Sequence, residues 1–204
     1  MILALKPGSK ALIMRNILPA ICALLCVVIT TSVRSQTLKS LEDNNGFKKY
    51  KLGSKFVMGM GLKQKDEDGA DKVTIDYTKD MIGDIPVKTI ELYYLKDTLA
   101  KIIVRISPEY YEKLNDAARN SFGQPTQDLS FNQKIRKDSA VTIGSYKDEY
   151  MWKANRINLR YYYMYPITSG GAYGNKTLYL AYALNDYPQR LLRAKKVQSA
   201  ARNF

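Results

Sequence analysis

The alternation of apolar and polar residues between Lys88 and Ile106 restricts the fold more than any other feature of this chain. Through Lys88 to Leu95 it sets Ile90, Leu92 and Tyr94 on one face of a strand, and through Leu99 to Ile106 it sets Ala100, Ile102, Val104 and Ile106 on one face of another. Only Lys96-Asp97-Thr98 separates the two runs, a connection so short that they must pair antiparallel. A helix follows at once, with Ser107 as N-cap, Pro108 at its first position and Glu109 in its first turn. Tyr111, Leu114, Ala118 and Phe122 form its apolar stripe, and Gly123 with Pro125 ends it. A ribbon and a helix that each carry one apolar face have to bury those faces together, and the class that results is α+β.

The same pattern returns near the C-terminus. Glu149 to Lys153 and Arg156 to Tyr165 read as a hairpin closed at Ala154-Asn155. A glycine-rich loop, Pro166 to Asn175, leads to a strand over Lys176 to Leu184, and Asp186 with Pro188 opens a basic C-terminal helix. Ile90-Glu91-Leu92-Tyr93-Tyr94 aligns with Ile157-Asn158-Leu159-Arg160-Tyr161, and in both halves a second strand and a helix come next, which suggests a duplicated strand-strand-helix unit. Elsewhere, Val73 to Tyr77 alternates as a half-buried strand and Gly83-Asp84-Ile85-Pro86 marks a turn. The glycines between Phe47 and Leu62 argue for an irregular strand pair, and Leu129 to Tyr146 is polar and turn-prone, with a short strand at Ala140 to Gly144. The expectation is one domain over residues 46–204, a largely antiparallel sheet with a central and a C-terminal helix covering one of its faces.

The first 35 residues have a different composition. Lys6, Lys10 and Arg15 precede an uncharged apolar run from Ile17 to Thr31, and Val33-Arg34-Ser35 offers small residues around a cut before Gln36. That order is a signal peptide's, and the run is short for a membrane span, which needs about 17 to 25 residues. The protein is therefore expected to be exported to the periplasm or the extracellular space, an uncleaved N-terminal anchor being the less favoured alternative. Met14-Arg15-Asn16 offers a second start, so the initiation codon stays open between Met1 and Met14. Residues 36–45, ending in Glu42-Asp43-Asn44-Asn45, read as a mobile polar leader, with order beginning near Gly46-Phe47.

Export removes both cysteines, Cys22 and Cys26, and there is no histidine, so a Ser-His-Asp triad, a Cys-His pair and the usual His or Cys zinc sites cannot be assembled from the remainder. No catalytic residue, metal ligand or cofactor is assigned. Ser145 and Lys147 read as an ordinary strand-end pair, and Asp66, Asp68 and Asp71 around Gly69 as a solvated hairpin turn, since they lack the calcium-loop register. The net charge of +13 falls by four, to +9, once Lys6, Lys10, Arg15 and Arg34 leave with the signal. A basic exported protein meets anionic lipid or acidic polysaccharide before nucleic acid, so no nucleic-acid partner is expected.

All sixteen tyrosines lie beyond residue 49, half of them after residue 160. Alternation puts Tyr161 and Tyr163 in the core with Ile157 and Leu159, and leaves Tyr162 beside Arg160 and Asn158 on the open face. Tyr162, Tyr165 and Tyr173 are the candidate binding surface, suited to an envelope protein or a glycan. The C-terminal run Arg190, Arg193, Lys195, Lys196 and Arg202, interleaved with Leu191, Leu192 and Val197, docks its leucines on the sheet or touches an anionic membrane. These features point to a non-enzymatic binding module of the cell envelope, the alternative being a hydrolase that attacks envelope glycans through paired carboxylates.

Overall fold

In the computed structural model, which describes residues 38–76, 78–138, 141–167 and 175–201, the backbone is organised by the expected hairpin. Strands β6 (Ile85–Leu95) and β7 (Thr98–Ile106) turn through Lys96 and Asp97, whose φ values of 50° and 61° give the left-handed two-residue turn that suits the twist of paired strands. Around this hairpin grows one antiparallel sheet. It adds β3 (Gln64–Lys65), β4 (Asp71–Asp76), β8 (Gln127–Asp128), β10 (Val141–Lys153), β11 (Ile157–Ile167) and β12 (Thr177–Leu184), in the order β3-β4-β6-β7-β12-β11-β10-β8. Two further strands join at the margins, β5 (Met81–Ile82) on β6 and β9 (Phe131–Asp138) on β10, and β1 (Gly46–Phe47) pairs β2 (Tyr50–Lys51) apart from the sheet. The fold is α+β, with a largely antiparallel sheet and, among the described residues, three helices: α1 over residues 38–44, the central α2 (Tyr111–Phe122) and the C-terminal α3 (Tyr187–Ala201).

One sheet face makes the core. Ile90 and Leu92, Ile102 and Val104, Leu178, Leu180 and Tyr182, Ile157, Leu159 and Tyr161, and Trp152 lie on it, all nearly or wholly excluded from solvent. Leu114 and Ala118 of α2 pack here, with Phe122 set against the Trp152 ring. The indole Nε1–H of Trp152 donates to the carbonyl of Gly123 at 2.8 Å, which closes the helix end onto the sheet. Phe47, Tyr50 and Leu52 of the small β1–β2 hairpin cover the rest.

Several expectations need correction. Core packing begins before Gly46: residues 38–44, expected within the mobile leader, form α1, because Leu38 and Leu41 fall three apart on one helical face and Leu41 is completely buried. Ser107 makes no side-chain cap, and the chain first forms a 3₁₀ turn over Pro108–Tyr110 before α2. Ile85 and Pro86 belong to β6, the turn being only Gly83-Asp84. Residues 131–138 form β9, read from sequence as turn-prone polar chain.

The two helices do not share a face. β7 and β12 pair directly, so the hairpins β6–β7 and β11–β12 stand side by side, and the aligned Ile90 and Ile157, and Leu92 and Leu159, all point to the core. α2 lies on that core side, whereas α3 crosses to the other, where the ammonium of Lys101 sits over the ring of Tyr187. The likeness of the two halves thus covers their hairpins and stops at their helices.

Candidate functional site

The face opposite the core is built from the residues that alternate with it, and it falls into three cross-strand rows. The first runs Lys101, Ala183, Asn158, Lys153; the second Ile103, Ala181, Arg160, Met151; the third Arg105, Tyr179, Tyr162, Glu149. Neighbours within a row stand about 4.8 Å apart and successive rows about 6.7 Å. The third row is filled with interlocked aromatic and charged groups. Tyr162 stacks on Tyr179 with ring centroids 4.7 Å apart and planes 12° from parallel, and Arg105, its guanidinium 5.9 Å from the Tyr179 ring, pairs on its other side with Glu91 of β6 at 2.6 Å.

Glu91 and Glu149 are the buried acids among the described residues, the first held by one cation and the second by two. Glu91 accepts from Arg105 and from the Tyr93 hydroxyl at 2.8 Å. Burial pushes its pKa up, but these hydrogen bonds together outweigh burial and leave the carboxyl below its ordinary range. Glu149 accepts from Lys147 and, at 3.2 Å, from one Nη of Arg160. Four strand spacings separate β6 from β10, so the two backbones are about 19 Å apart. Hydrolysis of a glycosidic bond needs carboxyls roughly 5 to 9.5 Å apart, so these two lend no support to that chemistry.

The first two rows leave a hollow. Ala181 and Ala183 on β12 are small, while Lys101, Arg160, Lys153 and Tyr179 around them are long, and the first turn of α3 adds Tyr187 and Pro188 as a wall. The result is a groove of about 310 Å³ whose lining, among the described residues, includes three cations, Lys101, Lys153 and Arg160, and no carboxylate. Comparison with known families, curated proteins and solved structures gives no match to this chain. The chemistry of the groove therefore has to be read from its own residues. Lys101 touches the rings of Tyr93, at 4.9 Å, and Tyr187, at 5.5 Å, with no hydrogen bond or ion pair among the described residues. Burial lowers its pKa, with the charges of Asp66 and Asp68 acting in the other direction.

Of the three tyrosines expected to form one surface, Tyr162 stands on this face, half-buried by its stack with Tyr179. Tyr165 does not join it. Three residues along the same strand, it shares the face of Tyr161 and Tyr163 and lies 5.7 Å from the Tyr163 ring; the parity of the pleat decides this. Tyr173 lies outside the described residues. The core positions of Tyr161 and Tyr163 are as expected from alternation, both nearly fully buried with Ile157 and Leu159. Sequence reasoning missed the groove, although its signal was present in the small-large alternation Tyr179-Leu180-Ala181-Tyr182-Ala183, where the small residues fall on the opposite face from Leu180 and Tyr182.

On α3, Leu191 is partly buried against the apolar cluster, which extends to the α3 side through residues such as Tyr93 and Ile103, while Leu192 and Val197 are exposed. Arg190 pairs with Asp186 at 2.7 Å, and Lys195 with Asp68, in the turn of the β3–β4 hairpin, at 2.7 Å.

Proposed function

We propose that the protein is an exported, non-enzymatic binding module of the cell envelope that takes its ligand on the sheet face shared with α3. The observation that carries this reading is the cationic groove set into a face of ordered tyrosines, a concave, partly apolar site with a few charged groups converging on it. The signal-like order of the first 35 residues, from basic start through apolar run to small-residue site, supports export. The partners that suit the face are an envelope protein or a glycan, since stacked tyrosines offer flat apolar surface with polar edges.

The exposed Leu192 and Val197, flanked by Arg193 and Lys196, favour an additional weak contact of α3 with an anionic membrane surface.

Capture from envelope extracts tests the main reading. Mature protein immobilised by a terminal tag should retain a defined partner, and the Tyr162→Ser, Tyr179→Ser double variant should lose it while remaining folded. Intact mass of protein recovered from the envelope should correspond to a chain starting near Gln36. A partner retained equally by the variant, or a mass that includes residues 1–35, would speak against the binding face and against cleavage respectively.

A further inference from the structure

Lys101 is the group in this groove whose position is hardest to explain by folding alone. It is partly buried in the sheet, against two tyrosine rings; the charges of Asp66, Asp68 and Glu91 act in its favour, but among the described residues no acid is hydrogen-bonded to it, and desolvating a cation in that setting is unfavourable. A hydrophobic side chain of similar length would fill the same space without that penalty. Across the alanine floor, Arg160 spends one Nη on Glu149, and its guanidinium has further N–H groups that can be aimed at the groove. In the register of the sheet, Lys101 and Arg160 are two strands and one row apart, about 12 Å between backbones, with Ala181 and Ala183 between them. Long side chains from both sides can close over one anionic group at that spacing, and Lys153 stands at the outer rim of the same hollow.

The remaining lining indicates what the anion is attached to. Tyr187 brings an aromatic ring to one side of the groove, Tyr179, stacked on Tyr162 and flanked by Arg105, brings a ring edge to another, and Asn158, which spends one amide N–H on Asn185 at 3.0 Å, brings a polar amide. Aromatic rings suit the C–H face of a sugar, and amides suit its hydroxyls. A volume of about 310 Å³ is at the small end of ligand sites and fits one ring with its substituents. Resting on the reading of this face as a binding surface, we propose that the groove holds an acidic monosaccharide unit, its carboxylate or phosphate between Lys101 and Arg160 and its ring against Tyr187.

Isothermal titration of the mature protein with galacturonate, glucose 1-phosphate and glucose tests this and separates the two sources of charge. At least one of the acidic sugars should bind at least about tenfold more tightly than glucose, and Lys101→Met should weaken it by about tenfold, the worth of one charge-assisted hydrogen bond. That variant fills the space of the lysine stem while removing the ammonium that lies over the Tyr93 and Tyr187 rings, and the emission of the buried Trp152 reports that it is folded. Lys113→Met, on the exposed side of α2, should leave binding unchanged and serves as the control for net charge. The proposal is overturned if neither acidic sugar binds, if glucose binds as well as they do, or if Lys101→Met and Lys113→Met behave alike. Should sugar binding fail while envelope capture by the same face persists, the ligand assignment falls and the binding module stands; failure of both measurements would end both.

Discussion

Glu91 and Lys101 stand on the same sheet face, on adjacent strands, yet among the described residues only the acid is in an ion pair. Because Arg105 and Tyr93 both donate to Glu91, Glu91→Gln removes a charge-assisted set and should cost about 1–3 kcal/mol in a denaturant titration. The depressed pKa of Glu91 means that its contribution is present above its unfolded value near 4.5 and disappears as pH falls through the lower folded value. Lys101 runs the other way. With a folded pKa below 10.5, the native state binds fewer protons than the unfolded one in the interval between the two values, so its penalty is in force at neutral pH and is relieved as pH rises toward 10.5. Lys101→Met should therefore melt at the same temperature as the wild type or higher, whereas a lysine that held the fold together would lower the melting point on removal.

The elements differ in how far the sequence announced them. Strands β6, β7 and β11 were legible because one face of each is apolar and the other largely polar, β12 because it is a short, nearly continuous apolar run, and α2 ends where Gly123 was expected to end it. β9 was not, since Asn132, Gln133, Lys134, Arg136, Lys137 and Asp138 leave almost no apolar residue to alternate; its pairing with β10 comes from backbone hydrogen bonds that side-chain pattern does not encode. The start of α2 shows the same limit. Ser107, Pro108 and Glu109 satisfy every composition rule for a helix start, but the proline leads into a 3₁₀ turn and the serine hydroxyl caps nothing. Ser107→Ala should consequently change stability by less than about 0.5 kcal/mol, as an ordinary surface substitution does. Gly123 is different: at φ 72° and ψ −158° it occupies backbone space that is nearly glycine-only, and Gly123→Ala should cost about 1–3 kcal/mol. Equal effects at the two positions in matched urea titrations would contradict this account of the helix ends. Tyr165 was misplaced for a simpler reason, because an odd number of steps separates it from Tyr162 on one pleated strand. The groove was hidden because it depends on β12 lying between β7 and β11, a neighbour relation that no local pattern reveals.

For the whole molecule, the two sheet faces divide the work: one is closed by α2 and the β1–β2 hairpin, and the other carries charge and tyrosine beside α3. Burial pushes the hydroxyls of Tyr179 and Tyr187 up to about 12, and those of Tyr93, Tyr161 and Tyr182 higher still. Groups raised in this way contribute stability that is intact below the unfolded value of 10 and is lost as pH climbs through the folded values. Stability should thus fall steeply above about pH 10, with tyrosinate absorbance appearing together with the loss of structure for these five residues; free titration of all tyrosines in the folded protein would show that they are not packed as described. That the α3 side of the sheet is the working face is tested most directly by mapping backbone amide shifts of the isotope-labelled mature protein as galacturonate and glucose 1-phosphate are added in turn. The shifts should concentrate at Lys101, Arg160, Ala181, Ala183 and Tyr187, and be absent with glucose at the same concentration. Shifts gathered on α2 and the β1–β2 hairpin, or no specific shifts with either acidic sugar, would contradict it.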